Sequence, residues 1–102
     1  MRVEIVNFRP HLKNSLQGFV SIFFPTVGLE IRDCTFHKLN DKRWIALPAK
    51  PYTTKDGKTS WAYIIAFPDR KVYGDFQEQA LEALDKFVQK NGMLDGEKND
   101  VG

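Results

Sequence analysis

Apolar and polar positions keep a short, strand-like rhythm over the first two thirds of the chain and then change period. Val3–Phe8 alternates weakly and is rich in β-branched residues, which predicts a first strand that Pro10 ends. Leu12–Gln17 reads as a polar connection, with Gly18 marking the restart. Phe19–Phe24, an apolar run between Gly18 and Pro25, is too short for a helix and suits a strand. Thr26-Val27-Gly28 reads as a turn, Leu29–Leu39 as a partly alternating strand, and Asn40-Asp41-Lys42 as another turn. Arg43–Pro48 begins a further strand. Pro48 lacks an N–H to donate, so the strand must end, bulge or lie on an edge there. Asp56-Gly57, inside Lys55–Lys58, marks a hairpin tip, because both residues tolerate the positive φ that tight hairpins need. Trp61–Phe67 is the returning strand, stopped by Pro68-Asp69. It is apolar on both parities, which predicts cover on both sides.

Beyond Asp75 the apolar residues Phe76, Ala80, Ala83, Leu84, Phe87 and Val88 recur at helical spacing. Asp75 with Glu78 three residues later reads as a capping box. Asn91-Gly92 closes the helix, since both residues accept left-handed backbone angles. The expected fold is therefore α+β: a single four- to five-stranded antiparallel sheet followed by one C-terminal helix. Residues 1–92 form the domain, and 93–102, with Asp95, Glu97 and Asp100, form a flexible acidic tail. One amphipathic helix covers one face of one sheet. The uncovered face must be wet, bound or paired with a second copy, so a homodimer is expected. Phe76, Ala80, Leu84 and Phe87 are the candidate dimer contacts.

Composition narrows the class. The 102 residues are 42% hydrophobic and 27% charged, which argues against wholesale disorder. No apolar run approaches the ~18 residues of a membrane span. Met1-Arg2-Val3-Glu4 does not open like a secretory signal, because an acid interrupts it. The single cysteine, Cys34, forbids an internal disulfide and suits a reducing compartment. A cytoplasmic location is expected. One cysteine and two histidines are too few for a structural zinc site, so neither metal nor cofactor is expected.

The net charge is +2 but unevenly spread. Residues 1–60 hold ten Lys/Arg against five Asp/Glu, and residues 61–102 hold five against eight. A basic front and an acidic back are compatible with a polyanion partner. The segment 42–58 concentrates Lys42, Arg43, Lys50, Lys55 and Lys58 against Asp56 alone. Strand parity groups Trp44, Lys50 and Tyr52 together, and Trp61 and Tyr63 together. Rings interleaved with cations on an open sheet suit single-stranded nucleic acid, where bases stack on aromatics and cations follow the phosphates. The bland alternative makes Trp44, Trp61 and Tyr63 core or interface residues and the lysines ordinary solvated charge.

Enzymatic readings find little footing. There is no glycine-rich phosphate loop and no nucleophile spacing. His11 and His37 are isolated and read as surface or hydrogen-bonded polar residues. Asp33 reads as one half of an ion pair with Arg32 or Arg43. Cys34, within a strand, reads as buried and inert.

A family pattern overlies this. Glu30-Ile31-Arg32-Asp33, then Arg43-Trp44-Ile45-Ala46-Leu47-Pro48-Ala49-Lys50, then Asp56-Gly57 and Ile65-Ala66-Phe67-Pro68, resembles the septation-regulator family of stage V sporulation protein G. The order of these features matches over roughly residues 18–90. Phe67 stands where that family has histidine, and the hairpin arm is longer and carries Trp61. Sheet-then-helix order with Lys-rich arms also resembles the positive-cofactor-four-like single-stranded DNA-binding coactivators and their phage relatives. Both resemblances imply a homodimer that binds nucleic acid, and the second implies single strands gripped by β-arms.

The expected function is thus a non-enzymatic, homodimeric DNA-binding protein that prefers single strands and acts in replication, recombination or transcription. Arg43, Lys50, Lys55 and Lys58 would neutralise phosphates, while Trp44, Tyr52 and Tyr63 would stack bases. The alternative is a protein–protein interaction module, such as an adaptor or inhibitor, with no nucleic-acid partner.

Overall fold

The computed structural model describes residues 1–92; the expected acidic tail, 93–102, lies outside the described residues. Four strands form one antiparallel sheet in sequence order: β1 (Glu4–Lys13), β2 (Leu16–Phe24), β3 (Leu29–Leu39) and β4 (Lys42–Ala46). A separate two-stranded arm, β5 (Ala49–Thr53) and β6 (Thr59–Tyr63), follows. Among the described residues one helix follows, α1 (Arg70–Asn91). The molecule is elongated, 50 × 32 × 26 Å. Among the described residues no helix is long and apolar enough to cross a membrane.

The helix covers one sheet face. From β2, Val20, Ile22 and Phe24 point into the core, joined by Phe8, Ile31, Cys34, Ile45 and Leu47. The helix answers with Phe76, Ala80 and Leu84, spaced one turn apart on one stripe. Phe76 stacks on Phe24 (centroids 6.0 Å apart) and tilts against Phe67 at 4.9 Å. Each large side chain so buried contributes about 1.5–3 kcal/mol. Three of the four expected dimer contacts therefore serve this chain's own core: Phe76, Ala80 and Leu84 are buried against the sheet, and Phe87 is only half-buried at its edge.

The sheet margins differ from the sequence expectation. Pro10 does not end β1. The strand runs through it to Lys13, because β1 is an edge strand, where a proline is tolerated. Pairing slips between Ile5 and Asn7 and again between Pro10 and Lys13. Opposite Pro10 sits Gly18, where a Cβ would lie 2.6 Å from both the Arg9 carbonyl oxygen and the Phe8 ring. At the other margin, the Gln77 side chain bonds both backbone groups of Ile45. Its Nε2 donates to the carbonyl at 2.6 Å, and its Oε1 accepts from the amide at 2.9 Å.

The helix also begins earlier than Asp75. Asp69 is the N-cap, and its Oδ1 accepts from Lys71 N (2.8 Å) and Val72 N (3.2 Å). Pro68 and this cap set the start, so Asp75 lies inside the helix and the Asp75/Glu78 pair caps nothing. The far end is as expected: Gly92, at φ 75°, donates to the Val88 carbonyl at 2.6 Å.

Candidate functional site

The open sheet face and the arm together line a groove. Register fixes what points into it. Arg9 on β1 lies opposite Phe19 on β2, and its guanidinium stands 5.0 Å over that ring. The His11 imidazole is tilted at 45° to the Phe19 ring, with centroids 5.7 Å apart. On β3, Thr35 and His37 share this face. His37 pairs with Trp44 on β4, and their rings stack 5.2 Å apart at only 6°. The imidazole is held at both nitrogens: Nδ1 lies 3.0 Å from Ser15 Oγ and Nε2 lies 2.9 Å from Thr35 Oγ1. Partial burial lowers its pKa below the ordinary imidazole value. The reading of His37 as a hydrogen-bonded polar residue holds, with the addition that it forms half of a flat two-ring platform.

Cys34, on the covered face, is buried as expected. Burial, reinforced by the charge of Asp33, pushes its thiol pKa up to about 12.

The arm supplies the second wall. Its pairing sets Ala49 against Tyr63, Lys50 against Ala62, Pro51 against Trp61 and Tyr52 against Ser60. Side chains alternate across a strand pair, so Trp61 and Tyr63 share one face with Ala49 and Pro51, while Lys50 and Tyr52 share the other. The first face looks toward the sheet. Trp61, Tyr63 and Ile64 line a groove of about 670 Å³ whose floor includes Phe19, Thr35 and His37. The expected cover on both sides of Trp61–Tyr63 is absent: Trp61 is 62% and Tyr63 65% exposed. Continuous apolarity there reflects an arm standing clear of the core. At its base Ile64 N donates to the Pro48 carbonyl at 3.0 Å.

The tip is built as its sequence dictates. Gly57 takes φ 82°, its N–H donates to the Thr54 carbonyl (3.0 Å), and Thr54 N donates to Lys58 O (2.8 Å). The Thr54 hydroxyl donates to the Asp56 carboxylate, which draws that acid into the turn. Lys55 and Lys58 extend from this tip, exposed.

The sequence-derived site residues are thus divided. Trp44 and Tyr63 face the open side, and so does Trp61, which the sequence alone does not place in the site. Tyr52 and Lys50 turn to the outer face of the arm, because the chain leaves the sheet at Leu47-Pro48 and the parity that joined them to Trp44 does not carry across. Arg43 points to the helix side and makes two bonds to Asp85, each 2.7 Å. Those hydrogen bonds raise the guanidinium pKa further and hold the Asp85 carboxyl below its usual range. Among the described residues Arg9, Lys42, Lys55 and Lys58 form no ion pair. Phe19 and Arg9 were not singled out from sequence, and His37 was read only as a surface or hydrogen-bonded residue. The signal that could have found them is the cross-strand partner of each open-face position, which needs the register. Asp33, expected to pair with Arg32 or Arg43, pairs with neither, since Arg32 takes Glu30 (2.8 Å) and Arg43 takes Asp85. No family model, curated protein or solved structure matches this chain.

Proposed function

We propose that the protein binds single-stranded nucleic acid in the groove between the open sheet face and the arm. The observation that supports this reading most is the pair of exposed rings, Trp61 and Tyr63, held across about 670 Å³ from Phe19 and His37. Bases have two flat faces and enter such a slot edge-on, with rings available on both walls. A duplex keeps its bases stacked inward and offers nothing to these rings. Cations that form no ion pair among the described residues lie on the sheet (Arg9, Lys42) and at the arm tip (Lys55, Lys58), and these would follow the phosphates. The reading is a binding function without catalysis, in a process that exposes single strands, such as replication, recombination or transcription.

The test is a fluorescence titration with a 12-nucleotide single strand, comparing the wild type with Trp61→Ala. Stacking of one base is worth about 1–3 kcal/mol, so the variant loses about 5- to 150-fold in affinity. No binding by the wild type at low salt, or equal affinity of the variant, overturns the proposal. A protein partner is the second reading. Ile64, 67% exposed beside Trp61 and Tyr63, makes the arm an apolar surface as well as an aromatic one. Lys55→Glu with Lys58→Glu separates the two: it abolishes oligonucleotide binding under the first reading and spares partner capture under the second.

A further inference from the structure

One carboxylate in the groove has no partner among the described residues. Asp33 lies among the residues lining the groove, beside Phe19, Thr35 and His37 and facing Trp61 and Tyr63. It sits in a bulge: Cys34 pairs with Val20 and Ile31 with Ile22, so Arg32 and Asp33 together oppose Ser21. With Ile31 and Cys34 both turned into the core, the two bulged residues fall on the open side. Asp33 has φ 60°, a left-handed conformation that side-chain-bearing residues seldom adopt, and no structural bond compensates it. The two arginines near it in sequence or register are engaged elsewhere, at 2.8 Å with Glu30 and 2.7 Å with Asp85. Among the described residues the Asp33 side chain takes part in no hydrogen bond or ion pair.

A negative group in the wall of a polyanion-binding slot repels phosphates and attracts hydrogen-bond donors. In a bound single strand of DNA the donors are on the base edges. A carboxylate only accepts, through two oxygens side by side. Guanine alone among the common bases offers two adjacent donors, N1–H and the N2 amino group, on its Watson–Crick edge. Adenine and cytosine offer an amino group next to an acceptor, and thymine or uracil offers one imino group between two carbonyls. An unpaired guanine therefore satisfies both oxygens at once.

We propose that Asp33 is a specificity-determining residue that selects guanine in the groove; this rests on the nucleic-acid reading above. The bulge turns the carboxylate toward the base edge while the rings hold the base faces, and the phosphates are left to the cations outside.

The experiment titrates the wild type and Asp33→Asn with three 12-nucleotide strands: all thymidine, the same with one central guanosine, and the same with inosine there. Inosine keeps N1–H and lacks the N2 amino group. A paired contact of this kind discriminates by about 1–3 kcal/mol, so the wild type prefers the guanosine strand about 5- to 150-fold over all-thymidine. Inosine recovers only part of that gain. Asp33→Asn binds all three strands alike, and asparagine adopts the same left-handed backbone, so the fold is kept. Wild-type binding that is indifferent to the central base overturns the assignment and leaves the nucleic-acid reading intact, as does a preference that survives in Asp33→Asn. Failure of the wild type to bind any strand overturns both. The guanosine–inosine contrast in the wild type needs no variant, so a misfolded Asp33→Asn does not rescue the proposal.

Discussion

Under the proposed single-strand binding, removing Lys55 and Lys58 makes affinity depend less steeply on salt. Four cations of the sheet and arm tip form no ion pair among the described residues, namely Arg9, Lys42, Lys55 and Lys58, whereas Arg43 is held by two 2.7 Å bonds to Asp85. Each phosphate neutralised on a single strand contributes about −0.7 to the slope of log K against log salt, so four give about −2.8. Affinity then falls about 50-fold between 50 and 200 mM salt. With Lys55→Ala and Lys58→Ala the slope shrinks to about −1.4 and the fall to about sevenfold. Arg43→Ala leaves the slope where it was, because a guanidinium already paired releases no counterion on binding. Lys50→Ala, on the outer face of the arm, behaves likewise. The assay is quenching of tryptophan fluorescence by a 12-nucleotide strand at four salt concentrations, with Trp61 as the reporter. An Arg43→Ala variant that lowers the slope as much as one lysine does, or a double variant that keeps the wild-type slope, excludes these cations as the phosphate contacts.

Three further outcomes concern the scaffold. Gly18→Ala forces a methyl against the Arg9 carbonyl oxygen and the fully buried Phe8 ring, both 2.6 Å away, and costs about 3 kcal/mol, the upper end of ordinary overpacking; an unchanged urea midpoint would contradict it. The Cys34 thiol, pushed up to about 12, stays unreactive toward a disulfide reagent at pH 8 in the native protein and reacts at once in denaturant; rapid native labelling would show it accessible. His37 has a folded pKa below its unfolded value of ~6.5, so the unfolded chain takes up the proton first and stability declines as pH falls through that value. Melting temperatures at pH 7.5 and 5.5 fall further apart in the wild type than in His37→Gln, and equal differences would remove the assignment.

Strand order, turn positions and the late helix were legible because each depends on neighbours in sequence. Asp56-Gly57 needs only its own backbone freedom to make a tip, and Phe76, Ala80 and Leu84 need only the helical period. What the chain hid depends on partners far away. Pro10 stops a strand in isolation but rides through one on a sheet edge, and Asp75 resembles a cap until Asp69 is seen bonding Lys71 and Val72. The aromatic character of the site was readable; its composition was not. Parity counting fails across Leu47-Pro48, which sends Lys50 and Tyr52 to the outer face of the arm. The bulge that presents Asp33 is visible only as a slip between β2 and β3. Trp61 looked like interior because burial and projection give the same apolar run.

The closed margins of the main sheet bear on how the protein survives at high concentration. A sheet grows into fibres when a bare outer strand offers its amides to another molecule. On one side Gln77 already occupies both backbone groups of Ile45, and on the other Pro10 and two slips in pairing break the ladder a newcomer would need. Edge-to-edge polymerisation is thereby discouraged at both ends, so this domain can display bare indole and phenol rings on a protruding hairpin while its sheet resists seeding aggregates.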